Sequence, residues 1–94
     1  MSTVIDAAVA ALSNKVQSFE GTAKFVISGE GAIMIDENGV RAGDDEADVT
    51  LSADADVFQA ILEGDMNPTA AFMSGKLSVD GAMGMAMKLA SALA

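Results

Sequence analysis

Apolar residues recur every three to four positions at the start of the chain, a pattern typical of an amphipathic helix. The residues with this spacing are Ile5, Val9, Leu12, Val16 and Phe19. They fall on one face of a helix that is expected to end before Gly21. Since a helix buries such a face, the chain is predicted to begin with a helix docked on another element.

From Thr22 the apolar period changes to two, which indicates β-strands. Ala23, Phe25 and Ile27 are expected to face one side of the first strand. Asn38-Gly39 is a hairpin signal between the second and third strands of a predicted antiparallel meander. The predicted strands cover residues 22–28, 32–36, 40–42, 47–52 and 76–80.

Helical patterns return after the fourth strand. Ser52 is expected to cap a helix that ends at Gly64, because serine side chains bond the free N–H groups of a first turn. Pro68 is expected to open a short helix that Gly75 ends, and residues 82–93 a last one. The predicted order is α-β-β-β-β-α-α-β-α. Since the strands have one apolar face, we expect an α/β (α+β) fold with helices on one side of the sheet.

The composition excludes most catalytic chemistry. The chain has 94 residues, enough for one domain over residues 1–94, and it contains no Trp, Tyr, His or Cys. It therefore lacks an imidazole proton shuttle, a thiolate nucleophile and any disulfide. Ser52 and Ser74 have no basic partner in the pattern that could activate them. A protein that is not an enzyme, with no catalytic residue and no cofactor, is predicted.

The charge of the chain bears on its partners and location. Fourteen acidic and five basic residues give a net charge of −9, which opposes nucleic-acid binding because phosphates require Lys or Arg. No metal site is predicted, because the acidic residues 44–48 lack the spacing of a calcium loop. The apolar stretch 4–12 contains Asp6 and no basic n-region precedes it. A cytoplasmic protein is the expectation.

The last predicted helix is apolar nearly all round, since Met83, Met85 and Met87 leave only a narrow polar strip. Such a helix is either buried or in contact with something apolar beyond its own chain. Methionine side chains adapt to varied shapes and suit a pocket for apolar ligands. Filling of an irregular core and packing against a second protein chain are the alternatives.

Four segments of the second half resemble the sterol-binding domain of the type-2 sterol carrier protein family. They are Ala47-Asp48-Val49-Thr50-Leu51-Ser52, Phe58-Gln59-Ala60-Ile61-Leu62-Glu63-Gly64, residues 71–81 with Ala71-Phe72-Met73-Ser74-Gly75-Lys76-Leu77, and Met85-Ala86-Met87-Lys88-Leu89. The resemblance implies a five-stranded mixed sheet, helices on one face and an apolar tunnel between them. It also implies binding or transfer of sterols, fatty acids or other lipids without catalysis.

By this resemblance, Phe72, Met73, Met83 and Met87 would line or close the tunnel. The complete set of predicted ligand-binding residues is Phe25, Ile33, Val49, Phe58, Leu62, Phe72, Met73, Met83 and Met87. Lys76 and Lys88 are the only cations near this set, so a fatty acid or neutral lipid fits better than the phosphates of an acyl-CoA.

The leading hypothesis is thus a lipid-binding or lipid-transfer domain whose partner is a lipid or other apolar small molecule. It is expected to be a monomer or weak homodimer, and transient membrane contact is compatible with it. The alternative is a protein–protein interaction or dimerisation module that uses the methionine-rich C-terminal helix.

Overall fold

The computed structural model describes residues 3–16 and 19–93, which form a five-stranded sheet and four helices. The helices are α1 (Thr3–Lys15), α2 (Ala55–Glu63), α3 (Pro68–Met73) and α4 (Met83–Leu93). The strands are β1 (Ala23–Ile27), β2 (Gly31–Asp36), β3 (Gly39–Ala42), β4 (Val49–Ala53) and β5 (Leu77–Gly81). The predicted element order is confirmed.

The strands lie in the order β3-β2-β1-β4-β5. β1 pairs antiparallel with β2 and parallel with β4, while the β2–β3 and β4–β5 pairs are antiparallel. The sheet is therefore mixed, as predicted, and β1 is its central strand. The first three strands form the expected meander, and β4 returns to the far side of β1.

The core lies between one face of the sheet and the helices. Ala23, Phe25 and Ile27 of β1 are fully buried on that face, which confirms the predicted alternation. From α1, the stripe Ile5, Ala8 and Leu12 is buried against it. Within the described residues, no polar or charged side chain is buried. Apolar packing therefore carries the stability of this layer.

The opposite face of the sheet is covered in part by the loop between β3 and β4. Gly43 donates a backbone hydrogen bond to the carbonyl of Ala32 (3.1 Å) and packs on Met34, which is 1% exposed. The Lys24 ammonium pairs with the Asp44 carboxylate at 2.9 Å. The acidic loop after β3 is thus anchored at its beginning.

The predicted hairpin between β2 and β3 is confirmed, with Glu37-Asn38 as its turn, because Asp36 pairs with Gly39. Two other local predictions are wrong in detail. Ser52 lies inside β4, and Asp54 is the residue that precedes α2. The first helix ends at Lys15, so Val16 and Phe19 reach the core from the segment beyond it. Apolar spacing alone does not separate a helix from the buried chain that follows it.

Asp48 joins the ends of three strands. Its side chain accepts a hydrogen bond from the Thr22 N–H (3.2 Å), and its carbonyl accepts one from the Ala82 N–H (3.0 Å), just before α4. Gly81, at the end of β5, crosses this residue with a φ of +104°. A Cβ at Gly81 would lie 2.5 Å from the Asp48 oxygen. This crossing fixes where α4 begins.

We expect Gly81→Ala to destabilise the protein more than Gly64→Ala. Both glycines have positive φ, which costs a residue with a Cβ about 1–2 kcal/mol. At Gly81 the added Cβ would also clash with a backbone atom of Asp48, whereas nothing lies within 4 Å of a Cβ at Gly64. The excess should be about 1–3 kcal/mol in urea unfolding. Equal losses for the two variants would contradict the close crossing.

Candidate ligand-binding grooves

An apolar concavity with a volume of about 480 Å³ lies between α1 and α2. From α1 it is lined by Val4, Ala7, Ala8 and Ala11, and from α2 by Ala55, Asp56, Phe58, Gln59, Leu62 and Glu63. These positions follow the helical repeat on each helix, so each helix contributes one lateral stripe. We call this concavity the α1–α2 groove.

Small side chains on α1 keep this groove open. Ala7 and Ala11 lie beside the core stripe rather than in it, and a methyl group at each position leaves the space toward α2 unfilled. On the core stripe, by contrast, Leu12 is fully buried against the sheet. The width of the groove therefore results from which stripe of α1 carries the large residues.

Phe58 forms the floor of the groove and connects it to the core. Its ring lies 4.4 Å from that of Phe25, centroid to centroid, with the planes tilted by 58°. This tilted geometry is favourable for aromatic pairs. Phe58 is 2% exposed, so its ring is buried between the sheet and the groove.

The rim of the groove is acidic on its α2 side. Asp56 and Glu63 are its charged lining residues, and the Gln59 amide donates a hydrogen bond to the Glu63 carboxylate (3.3 Å). None of the lining residues is basic. A ligand with an anionic head would meet like charges here, whereas an uncharged head would not.

A second, much smaller depression lies between α3, β5 and α4, with a volume of about 20 Å³. Its lining is apolar except for one threonine: Leu51, Pro68, Thr69, Phe72, Leu77, Val79, Met83, Ala86, Met87 and Ala90. Asn67 fixes α3 beside it, since its side chain accepts hydrogen bonds from the N–H groups of Thr69 and Ala70. The helix start predicted at Pro68 is confirmed.

The predicted ligand-binding residues do not converge on one cavity. Phe58 and Leu62 line the α1–α2 groove, whereas Phe72, Met83 and Met87 line the second depression. Three others, Phe25, Ile33 and Val49, are fully buried on the helix-facing side of the sheet. Met73 is 80% exposed and lines neither cavity. Their binding roles stay predictions.

Sequence reasoning missed the α1 wall of the groove. Val4, Ala7 and Ala11 recur at helical spacing beside the core stripe, which is the signal that could have found them. Alanine gives this signal poorly, because it is common both in buried and in exposed positions of helices.

Other chemistry is not assembled in the part of the chain that the structure describes. No group of three or more acidic residues in residues 3–16 and 19–93 could hold a metal ion. The Arg41 guanidinium (2.7 Å) and the Asn38 N–H hold the pKa of Asp36 below its ordinary value. The Asp36–Arg41 pair lies in the β2–β3 hairpin and lines neither the α1–α2 groove nor the second depression. No described helix is long and apolar enough to cross a membrane.

The comparisons with known proteins converge on one family. The model of the SCP-2 sterol transfer family matches residues 3–94. Hydroxysteroid dehydrogenase-like protein 2 of Xenopus laevis is 43% identical over 82 residues, which are 79% of this chain and 20% of that protein. Sterol carrier protein 2 of Rattus norvegicus is 43% identical over 67 residues, or 70% and 11% of the two chains. The chain thus spans about a fifth or less of these relatives.

A solved structure extends the match to the fold. Sterol carrier protein 2 of Aedes aegypti, in complex with the fatty acid palmitate, superposes with a TM-score of 0.78 and 24% identity. The match covers 100% of this chain and 97% of that one. It confirms the fold that the sequence resemblance implied.

We expect Phe58→Ala to lower the free energy of unfolding by about 3–5 kcal/mol, because it leaves a cavity against Phe25. Gln59→Ala, one position along the same helix, is the control and should change it by less than about 0.5 kcal/mol. Urea unfolding followed by circular dichroism measures both. A small effect at Phe58 would mean that the floor is not part of the core.

Proposed function

Because the chain belongs to the SCP-2 sterol transfer family, we propose that it is a non-enzymatic lipid carrier whose apolar ligand occupies the α1–α2 groove. The ligand is a fatty acid, a sterol or another lipid. The choice of the binding site rests on the geometry of the groove and not on the family match alone. A cytoplasmic location, expected from the sequence, belongs to the same proposal.

The size and lining of the groove support a small-molecule ligand. Its volume of about 480 Å³ falls within the roughly 300–1,000 Å³ typical of ligand sites. Its α1 wall is mainly alanine methyl groups, and its floor is the Phe58 ring. Since Phe58 also contacts the sheet through Phe25, a chain bound there would lie in the interval between α1, α2 and the sheet. This is the position expected for the family's apolar tunnel.

The acidic rim ranks the candidate ligands. Asp56 and Glu63 would repel a carboxylate head held between them, so an uncharged sterol or alcohol suits the groove better than an ionised fatty acid. The Aedes aegypti relative was solved with palmitate, which keeps a fatty acid among the candidates. Acyl-CoA is the least suitable candidate ligand, because its phosphates would meet no basic residue in the lining of the groove.

The absence of catalytic groups supports a carrier role. The sequence has no His, Cys or Tyr, and the lining of the groove offers no pair of groups for acid–base work besides the rim carboxylates. The relatives with dehydrogenase-like names are longer proteins that this chain matches over a fifth of their length. Their activity is not needed to explain the groove.

The second candidate function is the dimerisation module. The observation that favours it is the exposure of Met83 and Met87, each about half exposed on α4. Sedimentation equilibrium over a wide range of protein concentration decides it. A monomer throughout excludes the module, whereas a dimer that Met87→Gln dissociates would support it.

We expect Ala11→Leu to weaken lipid binding at least tenfold, since the larger leucine side chain would fill the groove between α1 and α2. Ala10→Leu is the matched control, because Ala10 is exposed on the same helix and does not line the groove. Displacement of a fluorescent lipid measures both, and circular dichroism verifies the fold. Equal binding by the two variants would place the ligand elsewhere.

We expect a long-chain alcohol to bind more tightly at pH 7 than the fatty acid of equal chain length. A ligand at a hundredfold excess over its Kd should raise the free energy of unfolding by about 2.7 kcal/mol. Native mass spectrometry and thermal unfolding provide the comparison. Removing the rim charges in Asp56→Asn/Glu63→Gln should reduce the difference between alcohol and acid. An unchanged preference would assign the selectivity to another feature.

A further inference from the structure

Methionine is the side chain of this protein that peroxides oxidise most readily. Peroxides attack the sulfur atoms of cysteine and methionine, and the chain has seven methionines and no cysteine. It also lacks Trp, Tyr and His, the side chains that stronger oxidants attack. Oxidation of the protein therefore begins at a thioether, and the exposure of each thioether decides which one reacts first.

The methionines among the described residues fall into two groups by exposure. Met34 is 1% exposed, and Met66 and Met85 pack against the core. The exposed group comprises Met73 (80%), Met83 (48%) and Met87 (49%). We expect peroxide to reach these three thioethers first, because packed protein shields the others.

Met83 and Met87 differ from Met73 in what they cover. They are four positions apart on α4, so they lie one above the other on the same side of the helix. Both line the second depression together with Phe72 of α3. Met73 is more exposed but lines neither the depression nor the α1–α2 groove. A change of polarity at Met83 and Met87 therefore acts on the packing between α3, β5 and α4, whereas a change at Met73 does not.

We propose that Met83 and Met87 form a reversible oxidation site that opens the second depression. Hydrogen peroxide transfers one oxygen atom to the sulfur: the O–O bond breaks, an S–O bond forms, and the thioether loses two electrons. The second oxygen of the peroxide takes both protons and leaves as water. The product is methionine sulfoxide, in which a polar S–O group replaces an apolar sulfur.

The depression offers a sulfoxide no polar surroundings. Thr69 is the one lining residue with a polar side chain. The volume of about 20 Å³ admits about one water molecule, which needs two or more polar partners to be stable there. Burying an S–O group without hydrogen bonds costs free energy. The oxidised side chains therefore turn towards solvent, and the apolar lining residues Leu51, Leu77 and Val79 lose their cover.

The surface position of the two methionines makes the oxidation reversible. Methionine sulfoxide reductases remove the oxygen as water while two thiols become a disulfide, and one enzyme acts on each epimer of the sulfoxide. Such an enzyme needs an accessible sulfoxide, and both residues are about half exposed. The unbranched side chain then covers the depression again by rotation about its own bonds. No methionine lines the α1–α2 groove, so the site is independent of a ligand bound there.

The first test locates the added oxygen atoms. The whole chain is treated with hydrogen peroxide for increasing times and digested, and mass spectrometry measures the sulfoxide at each methionine. We expect Met83 and Met87 to be oxidised at least about tenfold faster than Met34. Slow oxidation of Met83 and Met87 beside a fast reaction of Met73 would overturn the proposal, because another surface, such as a second copy of the chain, would then cover α4.

The second test measures what the sulfoxides do to the packing, at a peroxide exposure that leaves Met34 reduced. Met83→Leu/Met87→Leu cannot form sulfoxides and keeps apolar side chains of similar volume. Met73→Leu is the matched control. Peroxide should lower the midpoint of thermal unfolding by about 4 °C or more in the wild type and in Met73→Leu, and by less than about 1 °C in the double variant. Met1, which lies outside the described residues, is present in all three chains and does not distinguish them.

Two results of the second test would overturn the proposal. Oxidation of Met83 and Met87 could leave the unfolding midpoint of the wild type unchanged, or the double variant could lose as much as the wild type. Treatment with the two reductases should restore the wild-type midpoint. Displacement of a fluorescent lipid should be the same before and after oxidation. A loss of lipid binding that the double variant prevents would support the oxidation site and refute only the proposed ligand groove.

Discussion

The parallel pairing of β1 with β4 determines how the rest of the molecule is arranged. The meander runs outward from β1 to β3, and β4 then lies on the other side of β1. The chain must therefore cross the sheet, and it does so on the face where Gly43 covers Met34 and Asp44 meets Lys24. With that face occupied by the crossing, the helices pack on the other. As a result, the apolar layer, the α1–α2 groove and the second depression all lie on the helical side of the sheet.

Much of the fold could be predicted from the sequence, because segments of period-two spacing and segments of helical spacing alternate along the chain. Ala23, Phe25 and Ile27 identify the buried side of β1, and Asn67-Pro68 identifies the start of α3 through a side-chain cap and a missing N–H. Ser52 misled the prediction because a serine before a helix resembles a cap. In the structure it belongs to the ladder opposite Ser78, and pairing across the sheet outweighs the local preference.

The candidate site was less accessible to prediction. An apolar residue on a helix can face the sheet, a neighbouring helix or solvent. These directions differ by only one residue position around the helix, so the spacing of apolar residues alone does not distinguish them. Phe58 and Phe72 both follow apolar patterns, yet one forms the floor of a groove and the other is partly exposed. The wall that was not predicted is the α1 side of the groove. It is made mainly of alanines, whose small side chains give no strong apolar pattern in the sequence. Only the position of α1 against α2 reveals the space between them.

Alanine walls have a consequence for selectivity. An alanine side chain has no rotamers, so Ala7 and Ala11 cannot swing aside or inward to match different ligands. The shape of that wall is set by the path of the α1 backbone, and it changes only when the whole helix shifts. Methionines on α4 adapt by torsion, one side chain at a time. For a ligand in the proposed groove, discrimination between a flat ring system and a linear chain would therefore depend on the distance between α1 and α2.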